Sequence, residues 1–151
     1  MEWIKDNYRI TTRIEEFDFD VIYDFLSRQA YWCKGVPVNV VRKALDNSLC
    51  FAVFNDGPRQ SEQIGFARAI TDQATFAYLA DVFILEPFRA RGLSKWLIEC
   101  ILSHPDLHGL RRFVLATRDA HGLYKRYGFQ ALADPAMFME LHKPDIYPRG
   151  R

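Results

Sequence analysis

The apolar positions of the chain change period several times, and each change marks an element. Residues Tyr8 to Arg13 alternate, which predicts a first strand. From Phe17 to Gln29, the residues Phe17, Val21, Ile22, Phe25 and Leu26 recur at helical spacing, and Asp18 and Asp20 favour the positive end of that helix. Tyr31 to Gly35 reads as an aromatic loop. Pro37 to Asn47 predicts a second helix, with Pro37 in its first turn and Val40, Val41, Ala44 and Leu45 inward. Two strands follow, Leu49 to Phe54 and Ile64 to Thr71, separated by the turn Asn55-Asp56-Gly57-Pro58. A ten-residue apolar run then begins at Phe76, with one carboxylate, Asp81, in its middle. It breaks at Glu86-Pro87 and passes through the basic turn Arg89-Ala90-Arg91-Gly92. Leu93, Trp96, Leu97, Cys100 and Ile101 then take up the spacing of a helix with one buried face. After a loop from Pro105 to Gly109, Phe113 to Thr117 predicts a strand and Ala120 to Tyr127 a short helix. Phe129 to Ala133 and Phe138 to His142 predict a closing pair of strands, and the proline-bearing tail Pro144 to Arg151 reads as extended.

An antiparallel meander followed by strand–helix–strand–helix–strand predicts an α/β fold of mixed type, with helices on both faces of the sheet. The strand–helix–strand unit around 80–117 should be parallel, with a right-handed crossover. At 151 residues and 49% hydrophobic composition, a single domain over 1–151 with a substantial core is expected. A net charge of +1 gives no global drive toward nucleic acid or an anionic membrane, and the basic pairs Arg111-Arg112 and Lys125-Arg126 are local. No apolar run approaches the ~18 residues of a membrane span, and the first residues do not read as a signal peptide. Cys33, Cys50 and Cys100 are odd in number and widely spaced, as in a reduced, cytoplasmic protein. The four histidines form no zinc pattern, so no metal is expected.

The junction from Phe76 to Lys95 is the most chemical part of the chain. A buried strand feeds a basic, glycine-containing turn that opens a helix, and the first turn of a helix carries unpaired N–H groups and partial positive charge. Arg89, Arg91 and Lys95 add full charge, and Gly92 lets backbone approach a ligand closely. Such an end suits a phosphate or pyrophosphate. On pattern alone it reads equally well as a solvated basic turn.

Arg89-x-x-Gly92-x-Ser94 resembles the acetyl-CoA pyrophosphate loop of the GNAT superfamily of N-acetyltransferases, and the stretch LADVFILEPFRARGLS resembles that family's fourth strand and loop. Leu123-Tyr124-Lys125-Arg126-Tyr127-Gly128-Phe129 is similar to its LYEKxGF segment. Together the matches cover roughly residues 64 to 130. Ser94 replaces the usual final Gly or Ala, and Ala90 stands where Gly is common. The resemblance implies a GNAT-like fold: a mostly antiparallel sheet with a parallel pair splayed at a cofactor cleft. It implies acetyl-CoA as co-substrate, its pyrophosphate held by Arg89, Ala90, Arg91, Gly92, Leu93, Ser94 and Lys95. The pantetheine arm would pair with the backbone of Val82, Phe83 and Ile84. Thr117 stands where the family often has Asn, and is the further hydrogen-bonding candidate for that arm.

Transfer of an acetyl group to an amine requires a proton to be taken, an oxyanion to be stabilised and a proton to be given to sulfur. The resemblance implies Tyr124 as the acid; read from the residues alone, it is an ordinary packing aromatic. Several relatives carry Glu-Asp in the middle of the central strand, where this chain has Ala80-Asp81. Asp81 is one candidate base, acting through water, or a structural carboxylate bonded to an arginine such as Arg68 or Arg118; His121 is another candidate base, or a solvated first-turn histidine. Strict alternation would put Leu79 and Phe83 on the face of Asp81. Asp119 reads as a helix N-cap. For the acceptor, Tyr31, Trp32, Phe76 and Tyr78 are the candidates, with Arg42 and Asp72 beside them. The resulting expectation is an N-acetyltransferase acting on a primary amine of a small molecule or amino acid by direct attack in a ternary complex. The alternatives are a non-catalytic acetyl-CoA or CoA-binding regulatory module and a protein or peptide amine acetyltransferase. The closing strands from Phe129 to His142 could also pair across a homodimer.

Overall fold

The computed structural model describes residues 1–148, so the last three residues of the expected extended tail lie outside the described residues. Six strands form one sheet in sequence order: β1 (Glu2–Lys5), β2 (Tyr8–Thr11), β3 (Leu49–Asp56), β4 (Ser61–Thr71), β5 (Phe76–Ile84) and β6 (Arg112–Leu115). Each neighbouring pair is antiparallel except β5 and β6, which run parallel from Phe76↔Arg112 to Leu79↔Leu115. The sequence reading missed β1. Its signal was the two-residue Asp6-Asn7 turn, where Asp6 takes a φ of 55° and Lys5 faces Tyr8, as a tight hairpin requires.

Helices cover both faces. On one lie α1 (Phe19–Asp24), continued by a π-helical turn over Phe25–Gln29, and α2 (Val38–Asp46). The Asp18 side chain caps α1 by accepting the Val21 N–H at 3.3 Å. Ile22, Phe25, Leu26, Val41 and Leu45 from these helices pack on Cys50, Phe66 and Phe83 of the sheet. On the other face α3 (Leu93–Ser103) is the crossover between β5 and β6, and α4 (His121–Lys125) follows β6. Leu93, Leu97, Ile98 and Ile101 of α3 and Tyr124 of α4 pack with Phe51, Val53, Ile64, Ala67 and Leu79. Two apolar faces of one sheet, each closed by its own helices, account for the whole core.

The central strand is not regular. Arg68 of β4 pairs with Ala80, but Phe66 pairs with Phe83, so β5 holds one residue more than β4 across this interval. The extra residue is taken up at Asp81, whose φ of 55° is left-handed. The bulge inverts the alternation beyond it. Leu79 packs toward α3 whereas Phe83 packs toward α1 and α2, correcting the expectation that both share one face. Gly65 makes room for the bulged strand: a Cβ there would lie 2.6 Å from Ile84 Cδ1 and 2.9 Å from the Phe83 carbonyl oxygen. Pairing with β6 stops at Leu79, so past the bulge the two parallel strands separate.

The expected closing strands are absent. Among the described residues no strand follows β6, and residues 130–146 are all exposed, with local backbone bonds in the 3-10 turn at Pro135–Met137 and from Ile146 to the Lys143 carbonyl. Pro135 removes a donor and turns the chain, so Phe138 to His142 keeps its strand-like alternation without a partner strand among the described residues.

Candidate active site

The gap between β5 and β6 opens into a cleft, and the bulge decides what lines it. Past the point of separation a cavity of about 620 Å³ is bounded by Tyr78 to Val82 of β5, by 115–120 leaving β6, by Tyr31 and Trp32, and by Arg68, Ile70 and Tyr124. A second cavity, about 320 Å³, continues at the other end of the strand, against Ile84, Phe88, Arg89, Ala90, Gly92 to Lys95 and Leu123. Val82 belongs to the first and Ile84 to the second. Phe83 between them is turned into the opposite core, its ring stacked on Phe25 at 3.8 Å between centroids. Only its backbone is available to the cleft.

The loop before α3 owes its shape to two left-handed residues, Ala90 at φ 62° and Gly92 at φ 77°. A Cβ on Gly92 would meet nothing within 4 Å, so glycine is favoured there by backbone conformation alone. Ala90 adopts the same region with a side chain, at a cost of about 1–2 kcal/mol. Arg89 is anchored by its Nε, which donates to the Ile84 carbonyl at 2.8 Å, and its guanidinium lines the loop cavity. Arg91 points elsewhere. Its Nη1 donates to the Tyr8 hydroxyl at 3.0 Å, and the guanidinium lies 5.3 Å from the Phe88 ring centre. Of the three expected cations, Arg89 and Lys95 line the cavity and Arg91 braces the loop from outside.

Asp81 carries the densest bonding in the cleft. Its carboxylate accepts from Arg68 Nε at 2.5 Å and from Trp32 Nε1 at 2.8 Å, and Arg68 also donates to the Ser48 hydroxyl at 3.1 Å. The Arg68 and Asp81 side chains are only 16% and 9% exposed, so removing either partner would leave an uncompensated, largely buried charge. The aromatic loop expected to meet an acceptor is thereby tied to β5 through Trp32. Tyr31 is fixed in turn by Trp32, edge to face at 5.1 Å, and by the Arg118 guanidinium 3.8 Å above its ring.

Tyr124 differs. It is 8% exposed, borders the main cavity, and its hydroxyl has no hydrogen-bond partner among the described residues. Burial raises its phenol above the ordinary tyrosine value, so the group keeps its proton through neutral pH. Thr117 lines the same cavity, and its hydroxyl accepts the Ala120 N–H at 3.0 Å. That bond corrects the expected cap of α4. Asp119 makes no capping bond: Ala120 stands at the N-cap with no side-chain cap, and Thr117 holds the turn that leads into the helix.

Three expected acceptor residues lie away from the cleft. Phe76 sits at the start of β5, exposed, opposite Arg112. Arg42 lies 3.9 Å over the Phe19 ring. Asp72 closes the β4–β5 turn, accepting from the N–H groups of Ala74, Thr75 and Phe76 and from the Thr75 hydroxyl; those bonds hold its carboxyl well below the usual range. Tyr31, Trp32 and Tyr78 do line the cavity, joined by Arg68, Ile70 and Arg118. Ile70 and Leu123 carried no signal in the sequence, since an apolar residue facing a cleft reads as core. Among the described residues no group of three or more His, Cys, Asp or Glu could hold a metal, and no helix is long and apolar enough to cross a membrane. The thiols of Cys33, Cys50 and Cys100 are each pushed up to about 12 by burial, which disfavours the thiolate.

Comparison with known proteins meets this geometry from outside. The family described as "Acetyltransferase (GNAT) domain" matches residues 46–131, the interval from the end of α2 through the cleft to Tyr124 and beyond. A protein of Gibberella zeae named as an acetyltransferase is 31% identical over 140 residues, covering 81% of this chain and 78% of its own length. A crystal structure from Xanthomonas campestris pv. campestris, assigned to the GNAT family, superposes with a TM-score of 0.88 at 48% identity, covering 93% of this chain and 96% of that one. A GNAT acetyltransferase of Elizabethkingia anophelis with acetyl-CoA bound shares the fold, with a TM-score of 0.60 at 15% identity over 83% of this chain and 78% of its own. The chain belongs to the GNAT family of acetyltransferases.

Proposed function

We propose that the protein transfers the acetyl group of acetyl-CoA to a primary amine of a small molecule or amino acid, by direct attack within a ternary complex. The observation that carries this reading is the pair of cavities along β5 where it parts from β6, one at a cationic, left-handed loop and the other bordered by an unpartnered phenol. The loop cavity fits a pyrophosphate: Arg89 and Lys95 line it, and Gly92 and Ser94 bring the start of α3 to its edge. The β6-facing edge of β5 past Leu79 has no strand partner, so an extended pantetheine arm can take its place. The relative from Elizabethkingia anophelis, which holds acetyl-CoA on the same fold, supports that co-substrate.

In this reading the acceptor enters between Tyr31, Tyr78 and Tyr124. Its amine loses a proton to solvent, its nitrogen bonds to the thioester carbonyl carbon, and backbone N–H groups around Val82 to Ile84 meet the oxyanion. The carbon–sulfur bond then breaks, the Tyr124 hydroxyl gives its proton to the departing sulfur, and the proton shed by the attacking nitrogen returns through solvent to the phenolate, leaving neutral amide, thiol and phenol; the raised proton affinity of Tyr124 suits that role. Asp81, with its carboxylate already taken by Arg68 and Trp32, holds the bulge and the aromatic loop in place. A small acceptor suits a cavity of about 620 Å³ whose Tyr31 wall carries the Arg118 guanidinium stacked on it.

The test is release of the CoA thiol from acetyl-CoA against a panel of amines and amino acids. Turnover on a small amine is expected. Calorimetric binding of acetyl-CoA with no turnover on any amine would instead support a non-catalytic acetyl-CoA-binding module, and turnover confined to peptides would support a protein acetyltransferase.

A further inference from the structure

We infer that the acceptor is an amino acid, and that its carboxylate is taken by the Arg118 guanidinium on the wall of the main cavity. The inference rests on the acetyl-transfer reading and narrows its substrate class.

The charged side chains around that cavity are Arg68, Asp81, Arg118 and Asp119. Two of them neutralise each other. Arg68 Nε donates to one Asp81 oxygen at 2.5 Å, and the other oxygen accepts from Trp32 Nε1. Arg118 has no such partner: among the described residues no carboxylate forms an ion pair with it and no acceptor takes its N–H groups. Its position is nevertheless fixed. The guanidinium lies 3.8 Å over the Tyr31 ring, Tyr31 meets Trp32 edge to face at 5.1 Å, and Trp32 is bonded to Asp81 at 2.8 Å. A guanidinium held on an aromatic ring has its donors available and has already lost part of its rotational freedom, so an arriving anion costs less order. A carboxylate matches that planar fork with two parallel N–H bonds.

The phosphates of the co-substrate do not call on this arginine. Arg89 and Lys95 line the separate loop cavity, and Arg118 is not among its walls. Arg118 instead shares the main cavity with Val82 and Tyr124, the groups given to the reacting centre. One small molecule there can offer its amine to that centre and its carboxylate to Arg118. Asp119 points to the same class. It lines the cavity, is exposed and has no bonded partner among the described residues, so one positive and one negative charge are left uncommitted around the acceptor. A zwitterion answers both, its ammonium drawn toward Asp119 before the proton is lost. A plain amine leaves Arg118 unmatched, and a polyamine finds a single uncommitted carboxylate.

The first arm of the test uses the wild-type protein alone. Release of the CoA thiol is measured with a panel of free amino acids, each against its own primary amide, and rates are referred to the unprotonated amine. The acids should exceed their amides in kcat/KM by at least about tenfold, the low end for a charge-assisted contact because Arg118 is exposed. Arg118→Gln should bring that ratio close to one, chiefly by raising KM for the acids. Arg118→Lys should restore part of it, since the charge returns without the fork. Amides used as well as the acids would overturn the inference and leave acetyl transfer standing. So would a preference for the acids that survives Arg118→Gln. No turnover on any amine, with acetyl-CoA bound in calorimetry, would remove the acetyl-transfer reading and this inference with it.

Discussion

Two polar groups face the same cavity, and they are held in opposite ways. Asp81 sits on the bulge of β5 with its carboxylate filled by Arg68 and Trp32. Tyr124 stands across from it on α4, as deeply buried, with a hydroxyl that no described residue engages. A carboxylate whose two oxygens already accept from Arg68 and Trp32 is tied into the scaffold, which suits a strut more than a base. A buried phenol without a partner keeps its proton and has it free to give. In the proposed reaction this contrast gives the strand an architectural part and the helix the delivery of a proton.

The largest effect should come from the helix. Tyr124→Phe removes one oxygen and keeps the packed ring, so kcat is expected to fall by about a hundredfold while thermal stability stays nearly unchanged. Next in size is Arg68→Met, which leaves the Asp81 carboxylate enclosed without its cation. Chemical denaturation should show a loss of about 3 kcal/mol, at the low end for a buried pair because both side chains keep some solvent contact. Asp81→Asn keeps an acceptor for Trp32 and tolerates the left-handed backbone, so about 1 kcal/mol of stability should go and kcat should hold within roughly threefold. A hundredfold loss of kcat there, with stability intact, would reverse the roles. The smallest effect belongs to the loop: Ala90→Gly relieves a left-handed alanine and should raise stability by less than about 1 kcal/mol, read from the denaturation midpoint.

Much of this was legible before the structure. The strand, basic turn and helix from Phe76 to Ser103 follow from a change of hydrophobic period, and Tyr124 and the Arg89–Lys95 loop follow from two family-like motifs in the right order. Three things were not. The bulge at Asp81 depends on a register between β4 and β5 that no local pattern encodes, and with it went the faces of Leu79 and Phe83. Phe76 and Asp72 looked suited to an acceptor by residue type, yet strand direction puts them at the far end of β5. The closing strands failed for a different reason. Phe138 to His142 has the right alternation, but an alternating segment becomes a strand only where an edge is within reach, and Pro135 turns it away from its own.

The most direct test of the division of labour is the alkaline limb of kcat, measured for wild type and Tyr124→Phe. The phenol must be protonated to act, and burial raises its value above the ordinary tyrosine range near ~10, so its contribution persists through neutral pH and is lost only as pH climbs through the raised value. The stability contributed by the neutral phenol has the same sign: it is fully present below the unfolded-state value and disappears as pH rises through the folded one. The account predicts an alkaline fall in wild type, above pH ~10, that is absent from the residual activity of Tyr124→Phe. The same alkaline limb in both proteins would contradict it.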